Sequence, residues 1–125
     1  MIRKFEENDI DAIQKMNAAE GWDNLVARHE QTLAAWLNSE SYVYIEEEQV
    51  VGCARAITDG HVSLYLCELI THHDYRGRGI AKALVEHIHQ LYPTTRMELL
   101  ATSDSKGYYE KSFRPFYGFR RTFGE

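Results

Sequence analysis

The sequence predicts an α/β fold, a single domain over residues 1–125 whose elements run βααβββαβαβ. Three observations carry that reading. Two runs of β-branched and aromatic residues, Tyr42–Ile45 and Val50–Ile57, flank the acidic turn Glu46-Glu47-Glu48 and read as an antiparallel hairpin. A third such run, Val62–Thr71, leads into the glycine-bearing stretch Arg76-Gly77-Arg78-Gly79. From Ile80 the period changes, with apolar side chains at Ala81, Leu84, Val85, Ile88 and Leu91, which is helical spacing.

The remaining elements follow in order. Ile2 to Phe5 reads as a first strand, and Asn8 or Asp9 caps a helix that buries Ile10, Ile13, Met16 and Asn17 and ends near Gly21. Leu25 to Leu37 reads as one second helix, terminated by Asn38-Ser39. Asp59-Gly60 turns the hairpin into the strand that ends at Thr71. Pro93 closes the glycine-led helix, Arg96–Ala101 supplies a further strand, and Ser103 or Asp104 caps a last helix through Lys111. Phe116–Phe123 closes the chain as an extended edge strand. No repeat, linker or low-complexity segment interrupts it.

Strand, glycine turn and helix together make an anion cradle. Glycine turns tightly and brings backbone close to a ligand without a Cβ, while the unpaired N–H groups of the first helical turn converge at the positive end of the helix dipole. A diphosphate fits such a spot. Neither the Gly-x-x-x-x-Gly-Lys-Ser/Thr loop nor the three-glycine dinucleotide fingerprint is present. Arg76-x-x-Gly79-x-Ala81 instead resembles the Arg/Gln-x-x-Gly-x-Gly/Ala motif of the GNAT family of N-acetyltransferases, and the element order is similar to that family's.

The resemblance implies a mixed, mostly antiparallel sheet with helices on both faces and a splayed strand pair at an acetyl-coenzyme A site. It places Arg76, Gly77, Arg78, Gly79, Ile80, Ala81 and Lys82 around the diphosphate. Leu69, Ile70 and Thr71 would pair with the pantetheine arm, an amide near Ile70 facing the thioester; the same three residues also read as plain sheet core. It implies a general acid in the last helix, for which Tyr109 is chosen, Tyr108 and Tyr117 being rivals because Gly118-Phe119 lies further downstream than the family's Phe-Tyr-x-x-x-Gly-Phe pattern. A phenol is protonated at neutral pH and can protonate a thiolate.

Glu68 is the leading general base, with Glu98 the alternative and a salt-bridged structural role the competing reading. Strand alternation sets Cys67 and Leu69 on the face opposite Glu68. Arg55, a charge in an otherwise apolar strand, pairs with Glu68 across the hairpin or contacts substrate. Its Arg-x-x-x-Asp-Gly context, with Gly21-Trp22, resembles the serotonin-type chloroplast and related bacterial subgroup of the family. Trp22 and Tyr42 are candidate walls of an aromatic amine pocket, or core. The activity implied is acetyl-coenzyme A dependent N-acetylation of a small-molecule or protein amine by direct attack. The alternative is a non-catalytic acyl-coenzyme A binding module.

Composition narrows the partners. Fourteen basic and 19 acidic residues leave a formal charge of −5 with no basic block, which argues against nucleic acid and favours a cationic acceptor. No apolar run reaches the roughly 18 residues of a membrane span, and the N-terminus lacks the apolar core of a secretory signal, so a cytoplasmic location is expected. Cys53 and Cys67 read as reduced core thiols. The six histidines, His72-His73 included, do not assemble a metal motif, so no metal is expected. Edge strands at the C-terminus are expected to pair between chains as a homodimer.

Overall fold

A computed structural model describes all of residues 1–125. After β1 (Ile2–Lys4) a 3-10 turn over Glu7–Asp9 leads into α1 (Ile10–Ala19), which buries Ile10, Ile13, Met16 and Asn17 as their spacing predicts. Asp9 stands at the cap position, yet its carboxylate reaches back to the Glu6 amide at 2.8 Å and to Arg3 at 2.8 and 2.9 Å. That triangle ties β1 to the helix. Gly21, at φ +76°, ends the turn that follows α1.

The single helix expected from Leu25 to Leu37 is two, α2 (Asp23–Ala27) and α3 (His29–Leu37), parted at Arg28 (φ −98°, ψ 59°). The Leu25 carbonyl, which a continuous helix would direct to the His29 amide, accepts instead from the Thr32 hydroxyl at 2.6 Å and the Gln14 side chain at 3.1 Å. Two side chains have displaced one backbone bond.

β2 (Glu40–Glu46), β3 (Gln49–Thr58), β4 (Ser63–Thr71) and β5 (Arg96–Glu98) complete a five-stranded sheet in the order β1-β2-β3-β4-β5. The first three pairings are antiparallel and β4–β5 is parallel. α4 (Ile80–Leu91) makes the crossover between β4 and β5, packing Ile80, Leu84 and Ile88 on Ala54, Ala56, Leu64 and Leu66. On the opposite face α1 and α3 bury Ile13, Met16 and Trp36 against Val43, Cys53 and Ile70. The mixed sheet with helices on both faces is therefore present.

A β-bulge interrupts β4. Arg55 lies opposite Glu68 and Ala56 opposite Leu66, so Cys67 has no partner of its own and the alternation of side chains slips there. Arg55 and Glu68 both act on the Cys67 thiol, while Leu69 packs on the α4 side. The strict alternation expected to set Cys67 with Leu69 opposite Glu68 is therefore broken at Cys67.

The C-terminal third departs most from expectation. β5 stops at Glu98 instead of Ala101, and α5 (Lys106–Tyr109) is one turn. Ser105 occupies its cap position and its hydroxyl accepts from the Thr102 amide, rather than Ser103 or Asp104 capping it. Residues 116–123 form no strand, because a strand exists only against a neighbour and none pairs with them. No helix is long and apolar enough to cross a membrane.

Candidate active site

The end of β4 and the start of α4 are joined by a loop whose shape its sequence dictates. His72 caps a 3-10 turn over His73–Tyr75, its Nδ1 accepting from the Asp74 amide at 3.1 Å. Gly77 and Gly79 then adopt φ +79° and +80°, which only glycine enters freely. A Cβ at either would meet nothing within 4 Å, so it is conformation, with open space in front, that calls for glycine. Gly79 is the N-cap of α4 and no side chain caps the helix. The first helical bond runs from the Ala83 amide to the Gly79 carbonyl, leaving the amides of Ile80, Ala81 and Lys82 directed out of the helix end.

The cationic side chains of this loop are tethered. Arg76 donates to Glu20 at 2.6 Å and, through Nε, to the Thr71 carbonyl at 3.4 Å. Arg78 lies over the Tyr75 ring at 4.8 Å with Glu46 at 3.5 Å, and Lys82 reaches Glu86 at 3.8 Å. Glu20 was not singled out in the sequence, and Glu46 only as part of the acidic turn. Glu20 lies 56 positions from Arg76, and no local pattern signals such a contact.

Beside the loop, β4 and β5 part. They pair only at Ser63–Arg96, Leu64–Met97 and Tyr65–Glu98, so β4 from Leu66 onward has no strand on that side. The His72 amide donates to the Val51 carbonyl, which fixes the alternation: Ile70 bonds to β3, while the N–H and C=O of Leu69 and Thr71 point to the uncovered side. The open amides are those two and not Ile70's. Between α1 and the end of β4 lies a cleft of about 970 Å³, lined in part by Lys15, Met16, Ile70, Thr71, His72 and Arg76.

Glu68 is buried, and Arg55 engages both its oxygens, at 2.8 and 3.1 Å, while also reaching Ser39 at 3.3 Å. The cross-hairpin pair expected from the sequence is there, and Arg55 is thereby turned into the sheet. Glu98 is exposed at the last paired position before the strands separate, and Met97 beside it packs on the α4 side, which sets Glu98 on the face of Arg55 and Glu68. Trp22 packs at the margin of the α1–α3 cluster, and Tyr42 is core, stacked edge-on to His87.

Tyr109 is half-buried between Tyr108 and Phe113, with ring centroids at 5.1 and 5.7 Å. Burial and the neighbouring Tyr108 push its phenol up to about 12. Tyr108 is more exposed and is raised too, by burial and then Glu86; Tyr117 is almost wholly exposed. Burial also pushes both thiols up, Cys53 most, so neither is a ready nucleophile. His72, His73 and Asp74 bring ligand atoms within 4.8 Å of one another on an exposed turn.

The family model for the acetyltransferase (GNAT) domain matches residues 38–115, more than half of the chain, taking in the hairpin, the glycine loop and α4. The chain belongs to the GNAT acetyltransferase family. Family membership carries acyl-coenzyme A dependent acetyl transfer as the general activity. Compared by sequence with curated proteins, the chain matches none. Solved structures share this GNAT fold across almost its whole length. One is a GNAT-family acetyltransferase from Xanthomonas campestris, at TM-score 0.77 and 19% identity over 99% of this chain and 94% of that one. An aminoglycoside acetyltransferase from an uncultured soil sample, in complex with sisomicin, superposes at TM-score 0.72 with 17% identity over 98% and 95%. A ribosomal-protein-alanine N-acetyltransferase from Brucella melitensis does so at 0.72 with 19% identity over 98% and 99%.

Proposed function

We propose that this GNAT domain transfers the acetyl group of acetyl-coenzyme A to a primary amine by direct attack, with both substrates bound together. The observation that carries the reading is the juxtaposition of an uncapped, left-handed glycine loop with the uncovered backbone edge of β4. The residues present fit an acyl-coenzyme A. The amides of Ile80, Ala81 and Lys82, with Arg76 and Arg78, would hold the diphosphate, and Leu69 and Thr71 offer strand-like bonds to an amide-bearing arm. The thioester supplies the activated acyl group.

The chain's own groups then handle protons and charge. An amide on the β4 edge is the available donor to a carbonyl oxygen as it gains negative charge. The neutral amine nitrogen bonds to the acyl carbon, the carbon–sulfur bond breaks, Tyr109 gives its proton to the departing sulfur, and the proton shed by the attacking nitrogen returns to the Tyr109 phenolate through water. An ammonium acceptor must first lose a proton, and the unpaired carboxylate at the parting of the strands is Glu98. Glu98 takes that proton, directly or through water. Glu68, committed to Arg55 through both oxygens, is a positioning residue that holds the bulge in register.

Two structural neighbours bear names of amine acetyltransferases, for an aminoglycoside and for a ribosomal protein's alanine, and the acidic balance of the chain suits a cationic acceptor. The test is thiol release from acetyl-coenzyme A in the presence of polyamines, aminoglycosides, arylalkylamines and lysine peptides. Saturable release with one class supports the reading and names the acceptor. Binding of the coenzyme with no release from any of them would favour a non-catalytic acyl-coenzyme A module.

A further inference from the structure

Glu20 stands at a helix end that disfavours a carboxylate. It is the C-cap of α1, at the negative end of the helix dipole, and the last turn of that helix carries no basic side chain. A cation from elsewhere compensates it: Arg76, on the glycine loop, donates to Glu20 Oε1 at 2.6 Å. Arg76 also donates through Nε to the Thr71 carbonyl at 3.4 Å, one of the backbone groups left open on the β4 edge. Glu20 and Arg76 both line the cleft between α1 and the end of β4.

One guanidinium thus joins the end of α1, the edge of β4 and the glycine loop. The hold is light. The Arg76 side chain is 58% exposed, and an exposed ion pair shifts an equilibrium by about fivefold at most. A diphosphate at the amides of Ile80, Ala81 and Lys82 offers Arg76 more negative charge than one carboxylate does, on the loop that already carries it.

We propose, on the reading that this loop holds acyl-coenzyme A, that coenzyme binding takes Arg76 from Glu20 and so presents Glu20 to the cationic end of the acceptor amine. In the free protein the pair is closed: Arg76 occupies the Thr71 carbonyl that the pantetheine arm would use, and Glu20 is already neutralised. With Arg76 drawn to the diphosphate, that carbonyl is released and the C-terminus of α1 is left with an uncompensated negative charge at the cleft. An ammonium group fills that place. Coenzyme and acceptor then favour each other's binding, by the same factor in both directions. Glu20 binds the acceptor and takes no part in proton transfer.

The test is calorimetric titration of the intact chain with coenzyme A, and with spermidine as cationic probe in the absence and presence of saturating coenzyme A. Wild type, Glu20→Gln, Arg76→Gln and the double variant are compared. Coenzyme A carries no acetyl group, so no turnover intervenes. Glu20→Gln is expected to bind coenzyme A about two- to fivefold tighter than wild type, because the carboxylate no longer competes for Arg76. In the double variant that gain should vanish, leaving the affinity of Arg76→Gln. Spermidine is expected to bind the wild type about two- to fivefold tighter once coenzyme A is bound, and Glu20→Gln to lose that dependence. Unchanged or weaker coenzyme A binding by Glu20→Gln would overturn the proposal, because Arg76 would then bridge both anions. Spermidine binding that ignores coenzyme A, or a dependence that survives in Glu20→Gln, would overturn it too. Failure of the wild type to bind coenzyme A at all would remove the coenzyme reading itself, and the exchange with it.

Discussion

Tyr109 is the residue on which the chemistry turns. With its phenol pushed up to about 12, it stays protonated across the working range and contributes no alkaline limb to kcat before that pH. Tyr109→Phe is expected to lower kcat about 10²-fold in a thiol-release assay while leaving acetyl-coenzyme A affinity unchanged by calorimetry. Equal turnover would move the acid to Tyr108 or solvent. For the base, Glu98→Gln should lower kcat/KM at neutral pH, with the deficit closing as pH rises and the amine loses its proton unaided. A deficit that persists at high pH would remove Glu98 from that role. Arg55→Leu belongs to stability instead. It strands the buried Glu68 carboxylate, at a cost of about 3–5 kcal/mol in urea denaturation. A residue's type was legible in the sequence more often than its availability. Glu68 and Arg55 were each visible as a charge in a strand, and their pairing was one of two readings open to each; the fold decides between them by giving both Glu68 oxygens to Arg55.

Among the elements, the glycine loop and α4 were the most legible, because left-handed glycines and helical period are local properties. The break at Arg28 and the bulge at Cys67 were not, since side chains from elsewhere and the register of a neighbouring strand produce them. Gly52 joins strand to loop in the same nonlocal way. A Cβ there would lie 2.7 Å from Ile80 Cγ2 and 3.4 Å from the Ile70 carbonyl, so Gly52→Ala should cost about 1–3 kcal/mol and weaken acetyl-coenzyme A binding by shifting the first turn of α4. Unchanged affinity with the stability loss would show that the turn tolerates the shift. The β3–β4 turn carries a pH signature. Asp59 accepts from the amides of His61, Val62 and Ser63, which hold its carboxyl down at about 2 against an ordinary 3.8. A lowered pKa stabilises the fold above the ordinary value and loses that contribution as pH falls toward 2. The wild-type thermal midpoint should therefore fall more steeply than that of Asp59→Asn between those two values; parallel profiles would discount the turn.

At the scale of the whole molecule, the strand and helix order was readable through α4 except for the division of the second helix into α2 and α3, because each element carries its own period. Legibility failed after β5. Phe116–Phe123 alternates as a strand should, but its state depends on what pairs with it, and nothing in the single chain does. The sheet and the loop meet at one place, where β4 loses its neighbour and α4 opens its N-terminus, and the account rests on an acyl-coenzyme A being held there. Calorimetric titration of the intact chain with acetyl-coenzyme A, alongside Gly79→Glu, tests this most directly. The account predicts saturable one-to-one binding by the wild type and none by the variant, whose side chain would put negative charge and a strained backbone into the cradle. Absence of binding by the wild type, or equal binding by both, would contradict it.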